Sequence, residues 1–191
     1  MVFEGEIVGR YVTLRSATIE DAEFTLAIRQ DKKITQYIPY LDITLEQQIA
    51  WIKKQRETEG DYFFVVWNKK NERIGTNSIY DIKNSTGETG RLTMKNCSAL
   101  ESLENQFLLS SFAFEILKLE ETHSYTYEDN SRALRFSDFF GYTIQSEKFD
   151  KQDKKVYKSS LNSENFLSSQ EKLCKLIYRS TKNFFSIRNN A

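Results

Sequence analysis

Proline and histidine are nearly missing from this 191-residue chain: Pro39 and His123 are the only ones. A single imidazole and two cysteines, Cys97 and Cys174, with no metal-type spacing between them, exclude an ordinary zinc site, so no metal is expected. Two distant cysteines also make no disulfide framework, and the cytoplasm is the expected compartment. Excess charge is missing too. Lys+Arg and Asp+Glu both number 27, which leaves no electrostatic footprint for nucleic acid or a membrane surface. No apolar run reaches the length of a membrane-spanning helix. The opening MVFEGEIVGR carries Glu4 and Glu6 in place of an apolar core, so it does not read as a secretory signal. Glycine occurs only seven times, which makes each placement informative. Hydrophobic content of 39% and charged content of 28% fit a globular domain with its own core. The 14% aromatic content, mostly Phe and Tyr, is high.

What is present reads as strands interrupted by single helices. RYVTLRSAT alternates, so residues 10–15 are expected as a strand. Thr18, with Asp21 three residues on, opens a helix whose Ile19, Ala22, Leu26 and Ile28 have helical spacing. Thr44 and Gln47 form a capping-box pattern for a second helix, with Ile49 and Ile52 on its apolar face and Gly60 as its stop. Residues 62–67 are almost continuously apolar, as in a central strand covered on both faces. NKKN then turns the chain into a return strand over 73–82, and KNSTGE turns it again into ETGRLTMKN. A long helix follows, with Leu103, Phe107, Leu108, Phe112 and Ile116 near one face. THSYTYE alternates as a strand. Asn130 caps SRALRFSDFF, and Gly141 is placed to end it in a left-handed conformation. Residues 142–149 and 154–160 make a hairpin around DKQDKK. Ser163 caps a terminal helix, and the last residues are expected to fray. The order implies one α/β sheet of mixed direction flanked by helices. It occupies residues 1–161, with a helical extension and tail over 162–191.

Three stretches carry a family resemblance. VTLRSATIEDAE resembles the opening strand and helix of the ribosomal-protein (Rim-type) acetyltransferases. ERIGTNSIYDI is similar to the glycine-bearing strand of the GCN5-related N-acetyltransferase (GNAT) family. NSRALRFSDFFGY is similar to that family's closing pattern, Asn-x-x-Ala-x-x-Phe followed by Gly-aromatic. The resemblance spans about residues 8–160. DYFFVVWNKKNERIGTNSIYDI also resembles the flagellin-sugar acetyltransferases of pseudaminic acid synthesis, which act on an amino sugar carried by UDP. The resemblance implies a GNAT-like mixed sheet, acetyl-CoA as cofactor, and direct acetyl transfer to a primary amine.

Such a transfer needs a polarised thioester, an acceptor for the ammonium proton and a donor for the departing thiolate. The resemblance assigns the bulged strand that exposes its backbone to the thioester arm to Leu92, Thr93 and Met94. It assigns Asn130 and Phe136, on the short helix, to coenzyme A. The family's phosphate loop is rich in small residues, because backbone N–H groups at a helix start must reach the pyrophosphate. Here that stretch is CSALES, residues 97–102. It has no glycine, it carries Glu101, and it offers the hydroxyls of Ser98 and Ser102. Ser137 stands where the family often has a tyrosine acid. Glu88 is the candidate base, with Tyr80 and Asp81 as rivals. His123 reads as a sheet residue and Tyr142 as a packed strand aromatic. Tyr37 and Tyr40, in ITQYIPYL, and Tyr80 are candidate walls for the acceptor. Two functions compete. One is an N-acetyltransferase acting on a small amine or a nucleotide-linked amino sugar, with protein N-termini as a variant. The other is a non-catalytic partner protein with a degraded cofactor loop, which CSALES favours. The terminal helix either covers the sheet or makes a homodimer contact.

Overall fold

In the structure, a computed structural model, residues 3–151, 154–180 and 185–189 are described. The apolar run YFFVVWN forms β3 (Tyr62–Asn68) inside a nine-stranded sheet. Tyr62, Phe64 and Val66 enter the larger core with Phe107 and Phe112. Phe63 and Val65 enter a smaller cluster with Ala17, Phe24 and Trp51. Both faces of this strand are therefore covered, as its sequence predicts.

The other strands are β1 (Gly5–Val8), β2 (Val12–Ser16), β4 (Arg73–Lys83), β5 (Thr86–Met94), β6 (Glu121–Tyr127), β7 (Thr143–Lys151), β8 (Lys154–Asn162) and β9 (Ser186–Asn189). The helices are α1 (Ala22–Gln30), α2 (Leu45–Glu57), α3 (Ala99–Ser111), α4 (Ser131–Phe140) and α5 (Ser163–Tyr178). Across the sheet the strands run β7-β8-β6-β5-β4-β3-β2-β1-β9. Among the described residues every neighbouring pair is antiparallel except β5 and β6. That parallel pair is short. Thr86, Gly87 and Glu88 face Glu121, Thr122 and His123, and then the strands part. β5 goes on beside β4, and β6 beside β8.

Several sequence expectations are corrected. Four residues, Gly5–Val8, form a strand the pattern did not announce. Residues 186–189 do not fray: β9 pairs with β1 from Gly5↔Asn189 to Val8↔Ser186. Residues 152–153 of the DKQDKK turn, and 181–184 and 190–191 of the tail, lie outside the described residues. Asn162, not Ser163, caps α5, its Oδ1 accepting from Asn165 N at 2.7 Å. The long helix leaves α geometry at Phe112–Ile116 for a π turn, with Leu117 N donating to Phe112 O at 2.9 Å. The wider turn shifts the phase of the apolar face, so Ile116 stays 43% exposed while Phe107, Leu108 and Phe112 are buried. The terminal helix divides its apolar residues: Phe166, Leu173 and Ile177 join the core, and Leu167 and Leu176 face outward.

Gly141 ends α4 at φ 100°, its N–H donating to Asp138 O at 3.1 Å. A Cβ there would meet Ser169 Oγ of α5 at 2.5 Å. Gly141→Ala is expected to cost about 1–2 kcal/mol, from the left-handed backbone and this contact together. The urea midpoint measures it, and an unchanged midpoint would contradict this account.

Candidate active site

The site begins where β5 and β6 separate. Thr76 faces Thr93 and Ser78 faces Gly90, so Arg91 and Leu92 together oppose the single residue Asn77. This is a β-bulge. Arg91 takes φ 52°, and its carbonyl accepts from Thr76 Oγ1 at 2.7 Å. The bulge leaves Leu92 38% exposed and lining the cleft, and leaves Thr93 buried with its hydroxyl 2.7 Å from that of Thr76. Met94 packs away from the gap, its Sδ accepting from Asn105 Nδ2 at 3.6 Å.

The separation opens a cleft of about 380 Å³, within the range of small-molecule sites. One wall is β5 from Glu88 to Leu92, and the facing wall is β6 from Ser124 to Tyr127. One face of α4 closes the end with Asn130, Ala133, Phe136 and Ser137, a helical repeat. Asn130 also caps that helix, its Oδ1 accepting from Ala133 N at 3.1 Å. Tyr37, Ile38 and Pro39 lie across the other end. Tyr40, 54% exposed, is not among the lining residues.

Tyr80 and Glu88 are cross-strand partners, and the Tyr80 hydroxyl donates to Glu88 Oε1 at 2.7 Å. Burial, then the carboxylate, push the Tyr80 phenol far above its ordinary value, so it remains a donor. Gly90 makes this geometry possible: a Cβ there would sit 2.6 Å from the Tyr80 hydroxyl oxygen. Arg91 lies 4.2 Å from the Tyr80 ring centroid and forks onto Asp61 at 2.6 and 3.0 Å. Tyr142 is buried and also lines the cleft, its hydroxyl accepting from Gln106 Nε2 at 3.0 Å. Burial raises its pKa. His123 stands opposite Glu88 in the sheet, and Asp81 is exposed where β4 and β5 lose register.

At the start of α3 the predicted phosphate loop bonds to itself. Ser98 N donates to Glu101 Oε2 at 2.7 Å, and Glu101 N donates to Ser98 Oγ at 3.2 Å. Cys97 Sγ and Ser102 Oγ are 3.2 Å apart. Glu101 is thus a capping-box residue, a role its position three after Ser98 signals. Sequence reasoning missed Arg29, Arg91 and Gln106, all of which line the cleft. Arg91 was open to inference from its place inside the bulged strand; Arg29 and Gln106 carry no local signal.

A mixed sheet that parts at the parallel pair β5–β6, with a bulged strand and a short helix facing the gap, opens a cleft of the kind that can hold a cosubstrate between two strands. The chain belongs to the GNAT acetyltransferase family: the family model described as an acetyltransferase (GNAT) domain matches residues 12–143. Acetyltransferase PseH of Campylobacter jejuni (strain 81-176) is 24% identical over 132 residues, which cover 69% of this chain and 82% of that protein. Among solved structures, apo FdhC, a nucleotide-linked sugar GNAT, superposes with TM-score 0.76 at 19% identity, covering 93% of this chain and 98% of FdhC. Spermidine N-acetyltransferase from Vibrio cholerae, in complex with CoA and spermine, gives 0.74 at 16% identity, with coverage of 82% and 98%.

Proposed function

We propose that this protein is an acetyl-CoA-dependent N-acetyltransferase acting on the primary amine of a nucleotide-linked amino sugar. The carrying observation is the Tyr80–Glu88 pair at the point where β5 and β6 part. The PseH relative and the FdhC structure support the amino-sugar reading. Among the described residues no helix is long and apolar enough to cross a membrane, and we place the reaction in the cytoplasm.

Acetyl-CoA supplies the thioester. The residues present fit it: the bulge at Arg91 and Leu92 interrupts pairing with β4, and β5 beyond Glu88 has no β6 partner. Leu92, with the neighbouring backbone of Thr93 and Met94, would hold the thioester arm, and Asn130 and Phe136 would flank it from α4. Ser98 and Ser102, at the start of α3, would offer hydroxyls to the phosphates. Glu88 would take the ammonium proton and release it to solvent, and the freed nitrogen lone pair would form the new C–N bond as the C–S bond breaks. Ser137 Oγ would pass a proton to the departing sulfur, and the second proton that the nitrogen sheds on becoming an amide would replace it through solvent. Tyr37 and Tyr80 wall the acceptor. Tyr40, turned outward on the same segment, takes no part in this wall.

The closed capping box on α3 favours a second reading, a partner protein that does not use the cofactor. Calorimetric titration with acetyl-CoA separates the two. Micromolar binding is expected, tightened about fivefold in Glu101→Gly, since a removed charge at a helix start is worth about 1 kcal/mol. No heat of binding in either folded protein would overturn the enzyme reading.

A further inference from the structure

A second cavity, of about 400 Å³, adjoins the cleft and shares Arg29 and Arg91 with it. Its walls are largely apolar and aromatic: Leu41, Ile43, Trp51 and Phe63. The Trp51 and Phe63 rings meet edge to face at 5.1 Å. One connection, residues 31–44, reaches both spaces, with Tyr37, Ile38 and Pro39 over the first and Leu41 and Ile43 over the second. The end of α1 pins it down. Arg29 Nη2 donates to Pro39 O at 2.9 Å, and Gln30 Nε2 donates to Leu41 O and Ile43 O at 3.1 and 3.2 Å.

The two arginines at the junction differ. Arg91 is neutralised by its fork to Asp61. Arg29 has no carboxylate within ion-pair distance among the described residues, and its buried Nε has no hydrogen-bond partner. Its charged neighbour is Arg91, of like sign; burial first and Arg91 second lower its pKa, as expected of a cation without a counter-ion. Among the described residues Arg29 is thus a cation without an ion-pair partner where the two cavities meet, while the cleft's own carboxylate, Glu88, is held by the Tyr80 hydroxyl. An anion bridging the cavities would match it.

We propose that the second cavity is a nucleoside subsite, that Arg29 clamps the diphosphate of the acceptor at the junction, and that a planar base lies against Trp51. This rests on the proposed acceptor class and gives each part of it a place: base and ribose beyond the junction, diphosphate at Arg29, amino sugar in the cleft beside Glu88. Gln47 also lines the subsite. Its Oε1 accepts from Thr44 N at 2.8 Å, which leaves its Nε2 able to donate to the edge of a base.

UDP is the probe, titrated by calorimetry with and without saturating CoA. Expected are binding that CoA does not displace and at least tenfold weaker binding of uridine, a comparison that needs no variant. Arg29→Gln should weaken UDP about tenfold or more, Arg29→Lys less. Trp51→Ala should weaken it about five- to a hundredfold, in line with stacking of about 1–3 kcal/mol per base. Melting curves verify that the variants fold. Displacement of UDP by CoA, equal affinity for UDP and uridine, or indifference to Arg29→Gln overturns the subsite. Transfer to a free amine by a protein that does not bind UDP sinks the subsite and leaves the acetyltransferase standing. UDP binding as described, without transfer to any amine, leaves the subsite standing and sinks the proposed reaction.

Discussion

Glu104→Ala is expected to destabilise the protein by about 3–5 kcal/mol, a large part of the roughly 5–15 kcal/mol that holds a domain together. Glu104 lies on α3 at 0% exposure. Its Oε1 accepts from Arg10 N at 2.7 Å, and its Oε2 accepts from Tyr11 N at 2.6 Å and Val12 N at 2.7 Å. One carboxylate therefore satisfies three consecutive backbone donors where β1 turns into β2. Alanine would strand those donors, and a buried unsatisfied donor costs about 1–3 kcal/mol. The turn is fitted to the carboxylate, since a Cβ on Gly9 would meet Glu104 Cδ at 2.6 Å. The same corner holds the terminal helix, through Arg10 Nη1 donating to Tyr178 O at 3.2 Å. Guanidinium unfolding measures the loss. Glu104→Gln keeps the shape, but its amide N–H₂ faces a backbone donor, so it too should lose stability. A loss below about 1 kcal/mol in Glu104→Ala would show that water replaces the carboxylate and that this argument is wrong.

That corner marks the boundary of what the sequence discloses. Local chemistry wrote most elements. The capping pairs Thr44–Gln47 and Ser98–Glu101, the apolar run of β3 and the glycine closing α4 are each fixed by residues within a few positions. The outer edge of the sheet is different. GEIV is short and follows no turn residue, and SIRN lies more than 170 positions away, yet they pair residue for residue. Only a tertiary partner makes either a strand. Likewise Glu104 reads as one more charge in SLENQ. Its burial depends on a turn some 90 residues earlier. The π turn was also silent, because the apolar spacing of the long helix continues through it.

The site divides along the same line. Landmarks inside one element, such as Asn130, Phe136 and Ser137 on α4 or Leu92 on β5, come to the cleft because a periodic element carries them there. Tyr37 arrives with its segment, while Tyr40, three residues on, is turned out. The meeting of charges at the junction was illegible. Arg29, Asp61 and Arg91 come from α1, the approach to β3 and the bulge of β5; Arg91 carries the signal of its bulged strand, but among 27 basic and 27 acidic residues nothing local distinguishes Arg29 or Asp61 or brings the three together. Glu101 was legible as a charge in the wrong place for a phosphate and also as the third residue of a capping box. The structure shows it in the second role.

Glu88→Gln is expected to lower kcat by about 10²–10⁴-fold, the range of a lost general base, with the KM for acetyl-CoA changed less than about threefold. The substitution tests proton acceptance and little else. The amide oxygen of glutamine can still accept from the Tyr80 hydroxyl, which donates to Glu88 Oε1 at 2.7 Å, so shape and packing persist while basicity is removed. Tyr80→Phe removes that donor and keeps the carboxylate. It should act through position alone, with a loss of about tenfold, the worth of one hydrogen bond of about 1.5 kcal/mol. Steady-state kinetics with an amino-sugar acceptor separates the two cases. A large fall for Glu88→Gln with a small one for Tyr80→Phe makes the carboxylate the proton acceptor. Equal small falls would make the pair a structural clamp across β4 and β5. Gly90 sharpens the test, because a Cβ there would crowd the Tyr80 hydroxyl at 2.6 Å. If the proton moves to Glu88, Gly90→Ala should push the phenol off the carboxylate and reproduce the modest Tyr80→Phe loss. If the pair is only a clamp, Gly90→Ala should give the same small fall in kcat as Glu88→Gln and lower the melting temperature with it.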